Sequence, residues 1–216
     1  MTIMRQAGMK GVSVSEALQF PQRAVAITVD DGCETDLLEM APLLVEHGFK
    51  ATFYITAGRL GGRGYLSAAQ LRELSEKGFE IGCHSMTHAY LSDLNDLQLK
   101  SEIADSKNLL EQLLGKKVEH FSCPGGRFSA RAVQMVKAAG YRTLAHSMPK
   151  ANSPQTDPFS LGRVAVTRNM GEESFRDICQ GRGLWKPALG GAIRNGAKRI
   201  LGNRTYDRIR ERLLPE

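Results

Sequence analysis

Asp30 and Asp31 stand side by side before Gly32, at the end of a short run of small and β-branched residues. Further along, His84 and His88 lie four apart in the segment HSMTH. Paired carboxylates suggest divided labour, because two adjacent acids on one ion would crowd the position a substrate needs. One can bind a metal while its neighbour takes a proton from the metal's water. Two imidazoles at i and i+4 share a face on a helical turn, which suits two ligands of one ion. Asp31, His84 and His88 thus form a two-His, one-carboxylate set with positions left for water and substrate. A metal such as Zn²⁺ lowers the pKa of its bound water to about 7, so the neighbouring carboxylate as base needs only a modest pKa and the right place. The segment SCPGGRFS adds a third element, since an N–H of Gly125 or Gly126 could stabilise a tetrahedral oxyanion. Each motif alone has a plainer reading. Asp-Asp-Gly is a common turn, a His pair is often surface or core, and Pro-Gly-Gly is a tight turn before a helix capped by Ser129.

What joins them is the element pattern. Ala24–Val29 is a β-rich apolar run, as in a strand buried on both faces, and Asp36–His47 has helical spacing before Gly48. Ala51–Thr56 reads as a strand, Ser67–Lys77 as a helix, Phe79–Cys83 as a strand and Asp96–Leu114 as a long helix stopped by Gly115. Val118–Cys123, Tyr141–Ala145 and Leu161–Thr167 read as further strands, with helices over Ser129–Ala139 and Glu172–Gln180. Strands alternating with helices imply a parallel sheet with right-handed crossovers, either doubly wound or a barrel. Such folds build sites where the C-terminal ends of the strands open onto one face. Asp30, Asp31, His84, the Pro-Gly-Gly turn and His146 all follow strands directly, so they should meet there.

Composition bounds the rest. The 216 residues suffice for one domain with a full core. No run of about 18 apolar residues reads as a membrane span. The first residues lack a continuous apolar stretch, so no export signal is read and the expected location is the cytoplasm. The four cysteines, Cys33, Cys83, Cys123 and Cys179, lack Cys-x-x-Cys spacing and read as free thiols, the first three as packing residues beside the motifs. The net charge of +6 resides wholly in residues 182–216, with nine basic and three acidic residues, leaving the body at 1–181 neutral. That extension reads as basic helices that pack on the body or lie on an anionic membrane surface near a lipid-linked glycan. Nucleic acid is disfavoured for want of a recognised motif.

Val29–Gly32, His84–His88 and Cys123–Gly126 together resemble three motifs of the polysaccharide deacetylases of carbohydrate esterase family 4, the NodB-homology domain. The resemblance spans roughly Ala24 to Thr167. It implies a distorted, partly open (β/α) barrel of about seven parallel strands, and a divalent ion: Zn²⁺, or else Co²⁺, Mn²⁺ or Ni²⁺. It also implies hydrolysis of an N-acetyl or related acyl group on an amino-sugar glycan. By the same resemblance Asp30 is the base, Asp31, His84 and His88 the ligands, and Gly125 the oxyanion donor. Two departures stand out. Ser122 occupies the place of the family's Arg that steadies the base, and the Leu-x-His that supplies the family's acid is absent after Thr167. His146 could serve as acid or simply pack, and Arg163 or Arg127 could orient Asp30. The competing readings are an inactive carbohydrate-binding module and a deformylase or other C–N hydrolase on the same site.

Overall fold

The structure is a computed structural model and describes residues 1–19, 24–127 and 129–184. Eight strands occur among them: β1 (Lys10–Val12), β2 (Ala24–Ala26), β3 (Thr28–Asp31), β4 (Thr52–Ile55), β5 (Glu80–Cys83), β6 (His120–Ser122), β7 (Thr143–His146) and β8 (Leu161–Gly162). β1 and β2 pair by themselves. The other six form one parallel sheet in the order β3-β4-β5-β6-β7-β8, each strand beside its successor, as right-handed βα units require. β8 and β3 are its two edges, so the sheet curls without closing. This is the expected partly open barrel, with six strands in its main sheet.

The run expected as one strand over 24–29 is divided. Ile27 donates its N–H to the Val12 carbonyl at 3.0 Å and accepts from Thr52 at 2.9 Å, handing the chain from the small sheet to the large one. β3 is only partly buried, since it lies at an edge. The sixth strand is likewise shorter than read. Asn152 bonds both backbone groups of Gly162 with its side-chain amide, at 2.9 Å each, standing in for a next strand. The chain leaves the sheet there, so Arg163 lies just past β8.

Alternation along the strands defines two faces. Phe53, Ile55, Ile81, Cys83, Phe121 and Leu144 point outward into the main core. The helices covering this face include Ala68–Glu76, capped by a Ser67–Gln70 capping box, and Ala130–Ala138, capped by Ser129. The long helix over Asp96–Leu114 contains a π-helical turn at Ser101–Asp105 and ends on Gly115 at φ 64°. The inner face holds Tyr54, Ala145 and Leu161. At its lower end, Glu80 accepts from Thr52 at 2.5 Å and from the Val14 N–H at 3.1 Å, and pairs with His120 at 3.3 Å. A polar cluster thus lies at the end opposite the expected site. The 185–216 stretch, and with it the helices expected in the extension, lies outside the described residues.

Candidate functional site

Asp30 and Thr28 lie on the inner face of β3, in register with Tyr54 and Thr52. Arg163 reaches them from the far edge of the sheet. Its two terminal nitrogens donate to the two Asp30 oxygens at 2.7 and 2.8 Å, a bidentate pair. The same guanidinium donates to Thr28 Oγ1 at 3.2 Å and Ser122 Oγ at 2.7 Å, and lies over the Tyr54 ring at 5.5 Å. One side chain therefore spans the open seam of the barrel. Burial alone would raise the Asp30 pKa, but Arg163 and then His84 overcome it, and the net direction is downward. Asp30 is thus held as a carboxylate. Arg127 instead sits over the Tyr90 ring, at 5.7 Å.

Neighbouring strand residues face opposite sides, so Asp30 and Asp31 cannot both reach one site from extended backbone. Asp31 has φ 86°, and this break turns its carboxylate back to the rim. Its Oδ1 lies 3.7 Å from His84 Nε2 and 3.4 Å from His88 Nε2. The atom is buried and has no hydrogen-bond partner. His84 is buried, and its Nδ1 donates to the Ser122 carbonyl at 2.8 Å, because a carbonyl can only accept. In neutral His84, Nε2 therefore presents a lone pair towards Asp31. One ligand atom from each of Asp31, His84 and His88 lies within 4.8 Å of the others. Ligands about 2.1 Å from a tetrahedral ion stand about 3.4 Å apart, so the observed spacing fits a divalent cation. Acceptors facing one another with no proton between them are what a cation would satisfy. Burial, then His84, lower the His88 pKa, with Arg59 adding to the effect, which favours the neutral ligand form.

The two histidines do not lie on a helical turn, contrary to the spacing argument. HSMTH is a loop in which Ser85 and His88 both have φ 68°. Ser85 Oγ accepts from the His88 N–H at 3.0 Å. Buried Glu102 clamps the middle, accepting from the Met86 and Thr87 N–H groups at 3.0 and 2.9 Å and from the Thr87 hydroxyl at 2.5 Å. Glu102 sits in the π-helical turn of a long helix, far from either motif, and only the fold reveals its part. Glu102→Gln, which sets an amide NH₂ against those donors, is expected to weaken divalent-metal binding about 10- to 100-fold with the fold retained. Competition with a chelator, beside circular dichroism, checks this; unaltered affinity would mean the loop is held by its own turns.

In the third motif, Gly125 has φ 61°, and a Cβ there would stand 2.3 Å from the Tyr90 ring. Gly126 donates its N–H to the Cys123 carbonyl at 2.8 Å, which commits that group to the turn and leaves Gly125 as the oxyanion candidate. Cys83 and Cys123 are buried in the core, and burial lifts the Cys123 thiol to about 12, as suits packing residues. Asp36, not singled out by sequence, is buried nearby; burial pushes its pKa up to about 7, with Asp31 and Asp30 adding to the rise.

His146 is the last residue of β7. The pleat turns Ala145 inward beside Leu161, and so turns His146 to the other face. The ring is fully buried, its Nδ1 accepts from the Met148 N–H at 3.1 Å, and its Nε2 meets Ser160 Oγ at 3.2 Å. Burial, Lys150 and Arg163 press its pKa down to about 4. At neutral pH it is an uncharged imidazole, which does not suit it to donate a proton.

A family model described as polysaccharide deacetylase matches residues 17–144. A peptidoglycan-N-acetylglucosamine deacetylase of Bacillus cereus is 32% identical over 124 residues, 57% of this chain and 56% of its own length. A chitooligosaccharide deacetylase of Azorhizobium caulinodans is 30% identical over 129 residues, 59% of this chain and 60% of its own. A solved structure, Streptococcus pyogenes deacetylase PplD in complex with acetate, shares the fold with a TM-score of 0.74 at 22% identity, covering 81% of both chains. The chain spans little more than half the length of the curated relatives it matches.

Proposed function

The chain belongs to the polysaccharide deacetylase family, and from that membership we propose that it is a metal-dependent hydrolase removing the acetyl group from an N-acetylated amino sugar in a glycan. The observation that carries this reading is the convergence of Asp31, His84 and His88 around a buried, unsatisfied carboxylate oxygen, beside an Asp30 fixed by Arg163. The glycans named for the relatives, peptidoglycan N-acetylglucosamine and chitooligosaccharide, support an acetylated amino-sugar glycan as the substrate class.

Asp31, His84 and His88 would hold the ion, and two imidazoles with one carboxylate suit Zn²⁺ first, with Co²⁺, Mn²⁺ or Ni²⁺ as alternatives. Bound there, it supplies Lewis acidity to the acetyl carbonyl and to water. Asp30 accepts the proton of the attacking water. Arg163 fixes both Asp30 oxygens, so the base waits in one orientation. The Gly125 N–H faces the oxyanion as the carbonyl carbon becomes tetrahedral. Once protonated, Asp30 is the group suited to return that proton to the amide nitrogen, because Arg163 and His84 outweigh burial and hold its carboxyl below the usual carboxylate range. The C–N bond then breaks to give acetate and the free amine.

The test is metal content and acetate release, measured on the protein and on a His84→Ala/His88→Ala control. One ion per chain, with acetate released from N-acetylglucosamine oligomers or peptidoglycan fragments only when it is present, is the expected result. An ion without acetate from either would favour a binding module. No ion after reconstitution with Zn²⁺, Co²⁺ or Mn²⁺ would sink the hydrolase reading.

A further inference from the structure

Beside the metal ligands stands a basic feature that this chemistry does not use. The loop at 57–66 carries Arg59 and Arg63 and no acidic residue. Arg59 is half-buried, donates to the Tyr65 hydroxyl at 2.8 Å and lies over that ring at 5.3 Å. The loop is pinned to both ligand segments. Ala57 and Gly58 donate their N–H groups to the Ser85 and Met86 carbonyls at 3.0 and 2.8 Å, between the two ligand histidines. A Cβ at Gly58 would stand 2.6 Å from the Met86 oxygen, so the approach is as close as backbone allows. On the other side Tyr65 bridges Cys33, two residues past Asp31. The Arg59–Tyr65 pair is therefore a fixed part of the rim and not a loose surface arginine.

Arg59 has no carboxylate within ion-pair distance among the described residues. Glu34, whose N–H donates to the Gly64 carbonyl, pairs with neither Arg59 nor Arg63. A half-buried guanidinium held in place without a counter-ion is suited to bind one from solution. The nearby charges point the same way. Asp30 is balanced by Arg163, and a divalent ion held by Asp31, His84 and His88 would outweigh Asp31. Tyr65 and Tyr90, both half-buried, offer aromatic surface for the apolar face of a sugar ring.

We propose that the glycan this site acts on carries an anionic oxygen group, a carboxylate or a phosphate, close to the reacting acetamido, and that Arg59 binds it. This rests on the deacetylase reading above and deepens it. Tyr65 keeps the guanidinium in one orientation, so little side-chain freedom is lost when the anion arrives.

The experiment compares three N-acetylated tetrasaccharides on the metal-loaded protein and on Arg59→Gln. One is the neutral N-acetylglucosamine tetramer, one alternates N-acetylglucosamine with a lactyl-ether carboxylate sugar, and one bears phosphate esters. Acetate release gives kcat and KM, and calorimetry gives binding independently of turnover. The expected result is at least a tenfold preference in kcat/KM for one anionic substrate, expressed in KM and weakened by salt. Arg59→Gln should reduce that preference at least tenfold, and which anion shows the effect identifies the group. Equal use of the neutral tetramer by the protein, or equal losses on all three in Arg59→Gln, would overturn the proposal. If no substrate releases acetate, the deacetylase reading fails by itself; tighter, Arg59-dependent binding of an anionic tetramer would still support the proposal, and equal binding of all three would overturn it.

Discussion

Arg163→Met is expected to lower kcat about 100-fold at neutral pH and to move the acid limb of the pH–rate profile to higher pH. The bidentate pair both orients Asp30 and keeps it ionised, and a correctly placed base contributes about 10²–10⁴-fold. Without the guanidinium, burial is left to raise the Asp30 pKa, opposed only by His84 and Ser122. The sign follows from linkage. The folded-state pKa of Asp30 lies below its unfolded value, so its pairing stabilises the protein above that unfolded value and is lost as the pH falls through the folded one. In the variant the fraction of base at pH 7 drops, and part of the lost rate should return as the pH rises. Stability should fall as well, by about 2–3 kcal/mol, less than the 3–5 kcal/mol of a fully buried pair because Asp30 keeps some exposure. In a chain of this length that is a drop in Tm of about 4–12 °C. The profile separates two roles. A lower Tm with the acid limb unmoved would make Arg163 a brace across the barrel seam and nothing more.

Much of this site was legible because residue type and position after a strand are both written in the sequence. Asp30, Asp31 and His84 follow strands, and a parallel sheet delivers them to one rim. Arg163 could be suspected for a related reason: a charged residue inside an apolar stretch needs a partner. Three features were not legible. The first is the direction of a side chain at the end of a strand, which depends on pleat parity and on single backbone angles. His146 follows the same rule of position as His84, but parity turns it away from the inner face, whereas a positive φ turns Asp31 back. Neither has a signature in residue type. The second is the clamp on the histidine loop. Glu102 reads in sequence as one more acid on an amphipathic helix, and the i, i+4 spacing of His84 and His88 suggested a helical turn when positive-φ bends do the work. The third is where pairing stops. Nothing in Leu161–Thr167 announces that Asn152 takes the place of a ninth strand after Gly162, yet that ending is what releases Arg163 inward. Residues 1–19 hold two short helices and a strand that no clear periodicity marks, because elements of three to six residues are too short to show a period.

Asp31→Asn should abolish stoichiometric metal binding and acetate release while leaving the metal-free protein as stable as before, or slightly more so. The structure places a strained, charged residue where stability alone would not. Asp31 sits at φ 86°, and its Oδ1 is buried, without a hydrogen bond, facing two imidazoles. Positive φ disfavours most side chains, but Asn tolerates it at least as well as Asp, so the substitution adds no backbone strain. It removes a charge that in the metal-free protein is only partly compensated, and gives the buried position a neutral group. What it cannot replace is the anionic ligand, since an amide oxygen is a far weaker partner for a divalent ion. The two effects separate in a thermal experiment. With metal at about 100 times its Kd, the unsubstituted protein gains about 2.7 kcal/mol, or about 5–10 °C in Tm. Asp31→Asn should begin at or just above the metal-free Tm of the unsubstituted protein and show no rise on adding metal. A lower metal-free Tm would mean that Asp31 stabilises the rim through its charge even without an ion, against the strain read from its geometry. A retained metal-dependent rise would mean that His84 and His88 suffice to hold the ion and that Asp31 serves some other step.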